Sequence, residues 1–312
     1  MAQPEGGAEA PAVPVPAGSS WLRSLGRRAA AALVLIPIVI ALVFFGGWVA
    51  FAGAMVALLL AAYELHDMFT HRGWRPLTWV SVGVALMFLV AARVDVISQP
   101  HNRELTLALL GGGLSVLLVL SLGWLILSHR SNEAALIDWA LTMAGAVYLG
   151  WPLACFLFLR GDALGAGNTG FWWLLALFFM VWANDTFALL TGHYFGRHKL
   201  APHISPAKTW EGFYGGLVFT AIAALIFGVA LPSAFGHPLN LPWYHALILG
   251  VLVAVAGTVG DLAESLLKRG TGVKDSGSLI PGHGGILDRM DSLLFAVLIV
   301  LFYAALLKDV AL

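Results

Sequence analysis

The sequence predicts an all-α integral membrane protein, a polytopic bundle of about nine transmembrane helices. Of its 312 residues, 60% are hydrophobic and only 11% are charged, whereas soluble domains carry about 25% charged residues. The mean hydropathy is +0.86, and the apolar residues form runs about as long as a bilayer is thick. The net charge of +0 gives no global basic surface for nucleic acid. The single cysteine, Cys155, can form no intramolecular disulfide.

The amino-terminal part of the chain divides into a tail and a first helix. Residues 1–20 are rich in Pro, Ala and Gly, a composition typical of a disordered tail. Arginines then precede a long apolar run, as in a signal peptide. We predict an uncleaved helix instead, because the run is about as long as a membrane span and no small-residue cleavage site is obvious. Residues 21–312 are predicted to form a single membrane domain.

Each membrane helix needs roughly 20 apolar residues to cross a hydrocarbon core about 30 Å thick. This criterion predicts spans near 29–45, 48–65, 77–92, 105–127, 135–159, 171–191, 213–231, 243–267 and 291–307. Gly150 and Pro152 interrupt the fifth span, so a kink or a re-entrant pair there would change the count by one.

The distribution of basic residues predicts the orientation of the bundle. With the amino terminus in the cytoplasm, 13 of the 17 Lys and Arg residues fall on the cytoplasmic side, as the positive-inside rule requires. Nine spans then place the carboxyl terminus outside. The polar regions 192–212 and 268–291 both face the cytoplasm, where nucleoside triphosphates are available.

The longer polar region follows a helix with a polar stripe. Asp261, Glu264, Ser265 and Lys268 are spaced i, i+3, i+4 and i+7, which places them on one helical face. Beyond a Gly-rich loop with Lys274 and His283, Asp288 and Asp291 share a face of the last helix. Carboxylate oxygens suit Mg²⁺, and cations with free backbone N–H groups suit phosphate. The pattern predicts a divalent-metal and phosphate site.

The earlier polar region contains a carboxylate inside an apolar helix. Asp185 lies near the middle of its predicted span, and an intramembrane carboxylate is costly enough to indicate function. Downstream, the motif SPAKTWEG offers Ser205, Lys208, Thr209 and Glu211, residue types that suit phosphate or sugar hydroxyls. Roles without chemistry are also consistent with these residues. The basic residues could lie in these loops only because of the positive-inside rule, and one of Asp288 and Asp291 could cap a helix.

The stretch SLLKRGTGVKDSGSLIPGHGGILDRMD, Ser265 to Asp291, resembles the signature of the phosphatidate cytidylyltransferase family, also called CDP-diglyceride synthase. It matches Ser, two residues, Lys-Arg, four residues, Lys-Asp and the ending Pro-x-His-Gly-Gly-x-x-Asp-Arg-x-Asp without departure. The resemblance continues less tightly through ANDTFALLTGHYFG and SPAKTWEG. It implies a cytoplasm-facing enzyme of phospholipid biosynthesis that joins CTP to phosphatidic acid, giving CDP-diacylglycerol and pyrophosphate in the plasma (inner) membrane.

The resemblance also implies roles for individual residues. The expected metal ligands, for Mg²⁺ with Mn²⁺ as a substitute and a monovalent ion possible, are Asp261, Asp288 and Asp291. The expected catalytic residues are Lys268, Arg269, Lys274 and Arg289, which would neutralise phosphates, and His283. The expected substrate-binding residues are Asp185, Ser205, Lys208, Thr209, Glu211 and Ser265. The expected partners are CTP, phosphatidic acid and the bilayer, with a homodimer possible and no nucleic acid.

Two other functions are consistent with charged residues in a membrane bundle. A CTP-dependent kinase of a polyprenol-type lipid alcohol would transfer the γ-phosphoryl group and would need a base for the hydroxyl; the complete signature disfavours it. A secondary transporter could also carry Asp185 within the membrane, but internal repeats with matching broken helices are expected of that class. Neither feature is present in the sequence.

Overall fold

The structure, a computed structural model, describes residues 36–97, 103–128, 131–161, 169–236, 239–277 and 284–310. Within these ranges, eight helices are long and apolar enough to cross a membrane, and a shorter apolar helix precedes them. The predicted fold class, an all-α polytopic membrane protein, is confirmed. The predicted tail, residues 1–20, lies outside the described residues.

The elements follow the chain in a simple order. The helices are α1 (Ile36–Phe45), α2 (Gly47–His71), α3 (Thr78–Ile97), α4 (Arg103–Leu127), α5 (Asn132–Arg160), α6 (Thr169–Phe195), α7 (Trp210–Leu225), α8 (Leu231–Phe235), α9 (Trp243–Thr271) and α10 (Leu287–Val310). A π-helical turn, Ile226–Ala230, joins α7 and α8 into one span. We call the end of the bundle where α6 and α9 finish and α10 begins the polar end.

Gly46 separates α1 from α2, and Gly47 is the first residue of α2. Gly46 and Gly47 both have positive φ values, 57° and 53°, which glycine adopts without the steric penalty of a Cβ atom. The Arg160 guanidinium then donates hydrogen bonds to the carbonyl oxygens of Val43 and Phe44, at 2.5 and 3.1 Å. These are carbonyls of the last turn of α1, which lack partners within the helix. The break between the first two predicted spans therefore has a local cause.

The fifth predicted span forms one helix. α5 runs unbroken for 29 residues with Pro152 inside it, so the alternative of a re-entrant pair does not apply to this described segment. Gly150, two residues earlier, allows close packing: a Cβ atom there would come within 3.0 Å of the Ala85 backbone on α3. Small residues at helix crossings commonly permit such contacts in membrane proteins.

Two clusters of buried apolar side chains hold the bundle together. One joins α2, α3, α5 and the start of α10, and includes the fully buried Leu58, Leu89 and Leu287. The other joins α5, α6, α9 and the rest of α10, and includes Leu177 and Val253. α10 contributes to both clusters, and its first turn is anchored by the buried Leu287. This first turn also carries part of the candidate site.

A β-hairpin at the polar end was not predicted. β1 (Lys199–Ala201) pairs antiparallel with β2 (Ser205–Thr209), with Lys199 opposite Thr209 and Ala201 opposite Ser205. Strands of three and five residues are too short to produce a clear alternating pattern in the sequence. The hairpin replaces what the sequence indicated as a loop between two spans, and it folds against α7 and α9.

Candidate active site

The two polar regions of the sequence meet at the polar end. Lys208 on β2 forms an ion pair with Asp261 on α9, with 2.5 Å between Nζ and Oδ2. The hairpin therefore directs its lysine into the bundle, where the lysine meets a carboxylate on a membrane helix. α9 has 29 residues and a length of about 43 Å. Since the hydrocarbon core is about 30 Å thick, the last turns of α9 can extend beyond it.

Three aspartates from three helices surround this ion pair. Asp185 on α6 and Asp291 on α10 interact electrostatically with each other, with Asp261 and with Lys208. We call Asp185, Asp261, Asp291 and Lys208 the carboxylate cluster. Asp185 is exposed and the other two aspartates are partly exposed, so the cluster opens to the surface of the bundle. Three carboxylates and one ammonium give the cluster a formal charge of −2 when every group is ionised.

A glycine on α9 brings two of these aspartates together. A Cβ atom at Gly260 would lie within 3.0 Å of the Asp291 carbonyl oxygen, a distance that real Cβ atoms do not tolerate. The backbones of α9 and α10 therefore touch where only glycine fits. Asp261 follows directly in sequence, so the crossing of the two helices places Asp261 beside Asp291.

A second group of charged side chains is centred on Lys268 and includes Asp288 in the first turn of α10. The Lys268 ammonium donates hydrogen bonds to Glu264 Oε2 at 2.8 Å and to Asp288 Oδ1 at 2.6 Å. The other Asp288 oxygen, Oδ2, accepts from the Ser276 N–H, the Ser276 hydroxyl and the Gly285 N–H, at 3.1, 2.9 and 2.8 Å. We call these five residues the Lys268 network. Both Asp288 oxygens are occupied by protein donors.

The predicted stripe on α9 is therefore real, but its members have different environments. Glu264 is fully buried and pairs with Lys268 one turn away, while its Oε1 accepts no hydrogen bond from the residues that the structure describes. Ser265 is also buried, and Asp261 takes part in the carboxylate cluster. Asp288 and Asp291 both approach α9, as their shared face predicts, and each joins a different group.

One carboxylate in the site comes from far outside the predicted site regions. Glu64 on α2 is 1% exposed, and its oxygens accept hydrogen bonds from the Ile286 and Leu287 N–H groups at 2.8 and 2.9 Å. It also accepts from the Ser276 hydroxyl at 3.0 Å. A carboxylate inside an apolar helix is a recognisable signal. Glu64 lies next to His66 and Asp67, however, so the sequence indicates an ordinary polar helix end.

The remaining residues of SPAKTWEG hold the hairpin in place. The Thr209 side chain caps α7 by accepting from the Gly212 N–H at 3.1 Å. Glu211 accepts from the Arg197 and His198 backbone N–H groups, at 3.1 and 3.2 Å, and its Oε1 lies 2.6 Å from His198 Nδ1. Ser205 forms the register pair with Ala201. The substrate-binding roles of these three residues stay predictions.

Three exposed cations lie at the polar end, in the last turn of α9, after it, and in the first turn of α10. Arg269 donates to the carbonyl oxygens of Ile204, at 3.4 Å, and Val273, at 3.1 Å, so it links the hairpin to the segment after α9. Lys274 and Arg289 are also exposed. His283 lies outside the described residues. Because they are exposed, these three side chains are accessible to an anionic ligand.

The residues present suit a divalent cation by charge. Hard carboxylate oxygens with two excess negative charges are the chemistry that Mg²⁺ prefers. In the part of the chain that the structure describes, no three His, Cys, Asp or Glu side chains are grouped closely enough to hold a metal ion. Ion binding would therefore require side-chain movements in the carboxylate cluster, while Asp288 would first have to leave its hydrogen bonds in the Lys268 network.

Comparison with known proteins gives consistent matches along most of the chain. The family model described as "Cytidylyltransferase family" matches residues 26–307. A phosphatidate cytidylyltransferase of Brucella abortus is 33% identical over 299 residues, which cover 92% of this chain and 96% of that protein. One from Staphylococcus epidermidis is 30% identical over 86% of this chain and 95% of its own length. One from Staphylococcus haemolyticus is 36% identical over 57% of this chain and 65% of its own length.

Proposed function

We propose that this chain, which belongs to the cytidylyltransferase family, transfers CMP from CTP to phosphatidic acid. The products are CDP-diacylglycerol and pyrophosphate. One observation carries the proposal: the carboxylate cluster and the exposed cations Arg269, Lys274 and Arg289 all lie at the polar end of a membrane bundle. This arrangement suits a reaction between two phosphate anions, one of which stays anchored in the bilayer by its acyl chains.

The reaction sets specific requirements on the site. A phosphate oxygen of phosphatidate attacks the α-phosphorus of CTP, and the bond from this phosphorus to the bridging oxygen of pyrophosphate breaks. The nucleophile is already an anion, so no strong general base is needed. The site must reduce the repulsion between two anions and hold them in line.

The described residues can be assigned to these tasks. Lys274, Arg269 and Arg289 are exposed and would neutralise the triphosphate and the lipid phosphate. Lys268 is committed to two carboxylates, so we assign it to holding Asp288 in place. Lys208, in the carboxylate cluster, lies where it can meet a phosphate oxygen if its pair with Asp261 opens.

Asp185, Asp261 and Asp291 would hold Mg²⁺, or Mn²⁺ in its place. When bound, the ion would polarise phosphate oxygens and balance the charge that develops on pyrophosphate. Support for this assignment is the net charge of the carboxylate cluster and the hard-oxygen character of its ligands. Asp288 is a further candidate if the Lys268 network rearranges.

We also propose that the polar end faces the cytoplasm of a bacterial cell and that the membrane is the inner membrane. The positive-inside rule supports this orientation, and the similar proteins come from bacteria. CTP is made in the cytoplasm, so a site on that side has access to its nucleotide.

The proposal can be tested with purified protein in lipid vesicles. We expect CDP-diacylglycerol to form, by mass spectrometry, only when CTP, phosphatidate and Mg²⁺ are all supplied. Replacement of phosphatidate by diacylglycerol or a polyprenol should give no product. Phosphorylation of either alcohol would favour the lipid-alcohol kinase instead.

A further inference from the structure

Glu64 is a buried carboxylate at the polar end to which the proposed chemistry gives no role. We propose that it is a positioning residue, which fixes both ends of the loop between α9 and α10 and so holds Asp288 and Lys268 in their working arrangement. This inference rests on the proposed function for its catalytic consequence. The contacts of Glu64 can be tested without any substrate.

Glu64 caps α10 from a distant part of the chain. The first N–H groups of a helix lack partners within it, and the local residues Gly285 and Ile286 have no side chain that can accept a hydrogen bond. Glu64 supplies the acceptors, one oxygen for the Ile286 N–H and the other for the Leu287 N–H. The position of the first turn of α10 therefore depends on a residue 222 positions earlier.

The same side chain also contacts the other end of the loop. The Ser276 hydroxyl lies 3.0 Å from Glu64 Oε2 and 2.9 Å from Asp288 Oδ2. A hydroxyl has a single hydrogen to donate, so these two carboxylates share one donor. Ser276 couples the position of Asp288 to that of Glu64, and Asp288 in turn binds Lys268 at 2.6 Å.

Two glycines show how tightly the loop closes around Glu64. A Cβ atom at Gly277 or at Gly285 would come within 3.0 Å of the Glu64 carboxylate. A larger residue at either position would therefore displace the Glu64 carboxylate from its place against the two ends of the loop. A buried carboxylate in a membrane helix is costly unless hydrogen bonds compensate it, and this cradle supplies three.

Glu64→Gln tests the role at nearly constant volume. The amide keeps one acceptor oxygen, but its NH₂ group faces a backbone N–H and cannot accept. We expect kcat to fall by about 10- to 100-fold, as small displacements of reacting groups do, with KM for CTP and for phosphatidate nearly unchanged. Asp67→Asn is the matched control, because Asp67 lies one turn along α2, is 51% exposed and pairs only with His71 among the described residues.

Two further measurements separate positioning from general stability. Hydrogen–deuterium exchange of the Ile286 and Leu287 amides should accelerate in Glu64→Gln and stay unchanged in Asp67→Asn. Because Ser276 links Glu64 to Asp288, the loss of kcat in Glu64→Gln combined with Ser276→Ala should be smaller than the product of the two single losses. All activities are taken per folded molecule.

Specific outcomes would overturn the inference. These are wild-type kcat in folded Glu64→Gln, a double-variant loss equal to the product of the single losses, or unchanged amide exchange. If Glu64→Gln does not fold, Glu64→Asp, which keeps the charge but is one methylene shorter, is measured with the same criteria. A wild-type protein that makes no CDP-diacylglycerol would contradict the proposed function instead, while the exchange experiment would still test the contacts of Glu64.

Discussion

Asp261 joins the two polar regions of the chain into one site. Its carboxylate pairs with Lys208 from the hairpin and interacts with Asp185 and Asp291 from two other helices. The sequence identified all four residues as candidates: Asp185 as a carboxylate within an apolar helix, Asp261 and Asp291 by their spacing on helical faces, and Lys208 in the motif SPAKTWEG. It could not pair Lys208 with Asp261, because that contact depends on a hairpin that hydropathy does not reveal.

Asp261→Asn should abolish most of the activity. The change removes an anionic oxygen at nearly constant volume and leaves Lys208 without its partner. We expect kcat/KM to fall by about 100-fold or more and the Mg²⁺ concentration for half-maximal activity to rise. The measurement is a magnesium titration of wild type, Asp261→Asn and the exposed-carboxylate control Asp67→Asn. Wild-type turnover of Asp261→Asn, or of the unmodified enzyme in excess chelator, would refute the metal assignment.

Variants of Lys274 can distinguish a role in phosphate binding from a role in membrane anchoring. An exposed lysine beside lipid headgroups would serve as an anchor equally well as arginine, whereas a phosphate contact in a Gly-flanked loop needs a compact charge at a set reach. We expect Lys274→Ala to lower kcat/KM by about 100-fold and Lys274→Arg to restore only part of the loss. Expression should be unchanged in both variants.

The control for this comparison is Lys199→Ala, which removes another exposed lysine at the polar end and should retain activity. Steady-state kinetics of the three variants decide the matter. A Lys274→Ala enzyme with normal turnover would leave Lys274 as an ordinary positive-inside residue.

At the scale of elements, hydropathy predicted the membrane helices, because each helix is a single continuous apolar run of the sequence. Eight of the nine predicted spans correspond to helices that are long and apolar enough to cross a membrane, whereas the first, 29–45, is described only from Ile36, as the shorter helix α1. The hairpin was missed, because three- and five-residue strands are shorter than any hydropathy window can resolve. The Glu64 cap of α10 was missed as well, because it links helices far apart in sequence and no local pattern records such a contact.

The crossing of α9 and α10 gives a prediction about helix packing. Gly260→Ala would insert a methyl group against the Asp291 carbonyl, which should push the helices apart and separate Asp261 from Asp291. We expect a destabilisation of about 1–3 kcal/mol and a loss of activity greater than about 10-fold. Thermal unfolding in detergent and turnover are the two measurements.

Gly270→Ala provides the matched control on the same helix. No atom lies within 4 Å of a Cβ atom at Gly270, and alanine favours a helix over glycine by about 1 kcal/mol. This variant should therefore be as stable as wild type or slightly more stable, with unchanged activity. Equal behaviour of the two variants would mean that the close crossing does not organise the site.

For the whole molecule, the proposed reaction with cytoplasmic CTP requires one orientation in the membrane. Cys155 is buried, so new cysteines can report on accessibility. Single cysteines at Arg197 or Lys274 should react with an impermeant thiol reagent only from the cytoplasmic side. A tag after Leu312 should be accessible only from outside, because α10 begins at the polar end and crosses the bundle. A cytoplasmic tag would contradict the predicted topology.

The most direct test of the central claim follows the fate of the phosphates of CTP. Purified protein in phosphatidate vesicles is supplied with CTP labelled at the α-phosphorus or, in a parallel reaction, at the γ-phosphorus. Cytidylyl transfer predicts that the α label enters the lipid and that the γ label appears in pyrophosphate. Entry of the γ label into the lipid, with the α label left in soluble CDP, would contradict the account and identify a kinase.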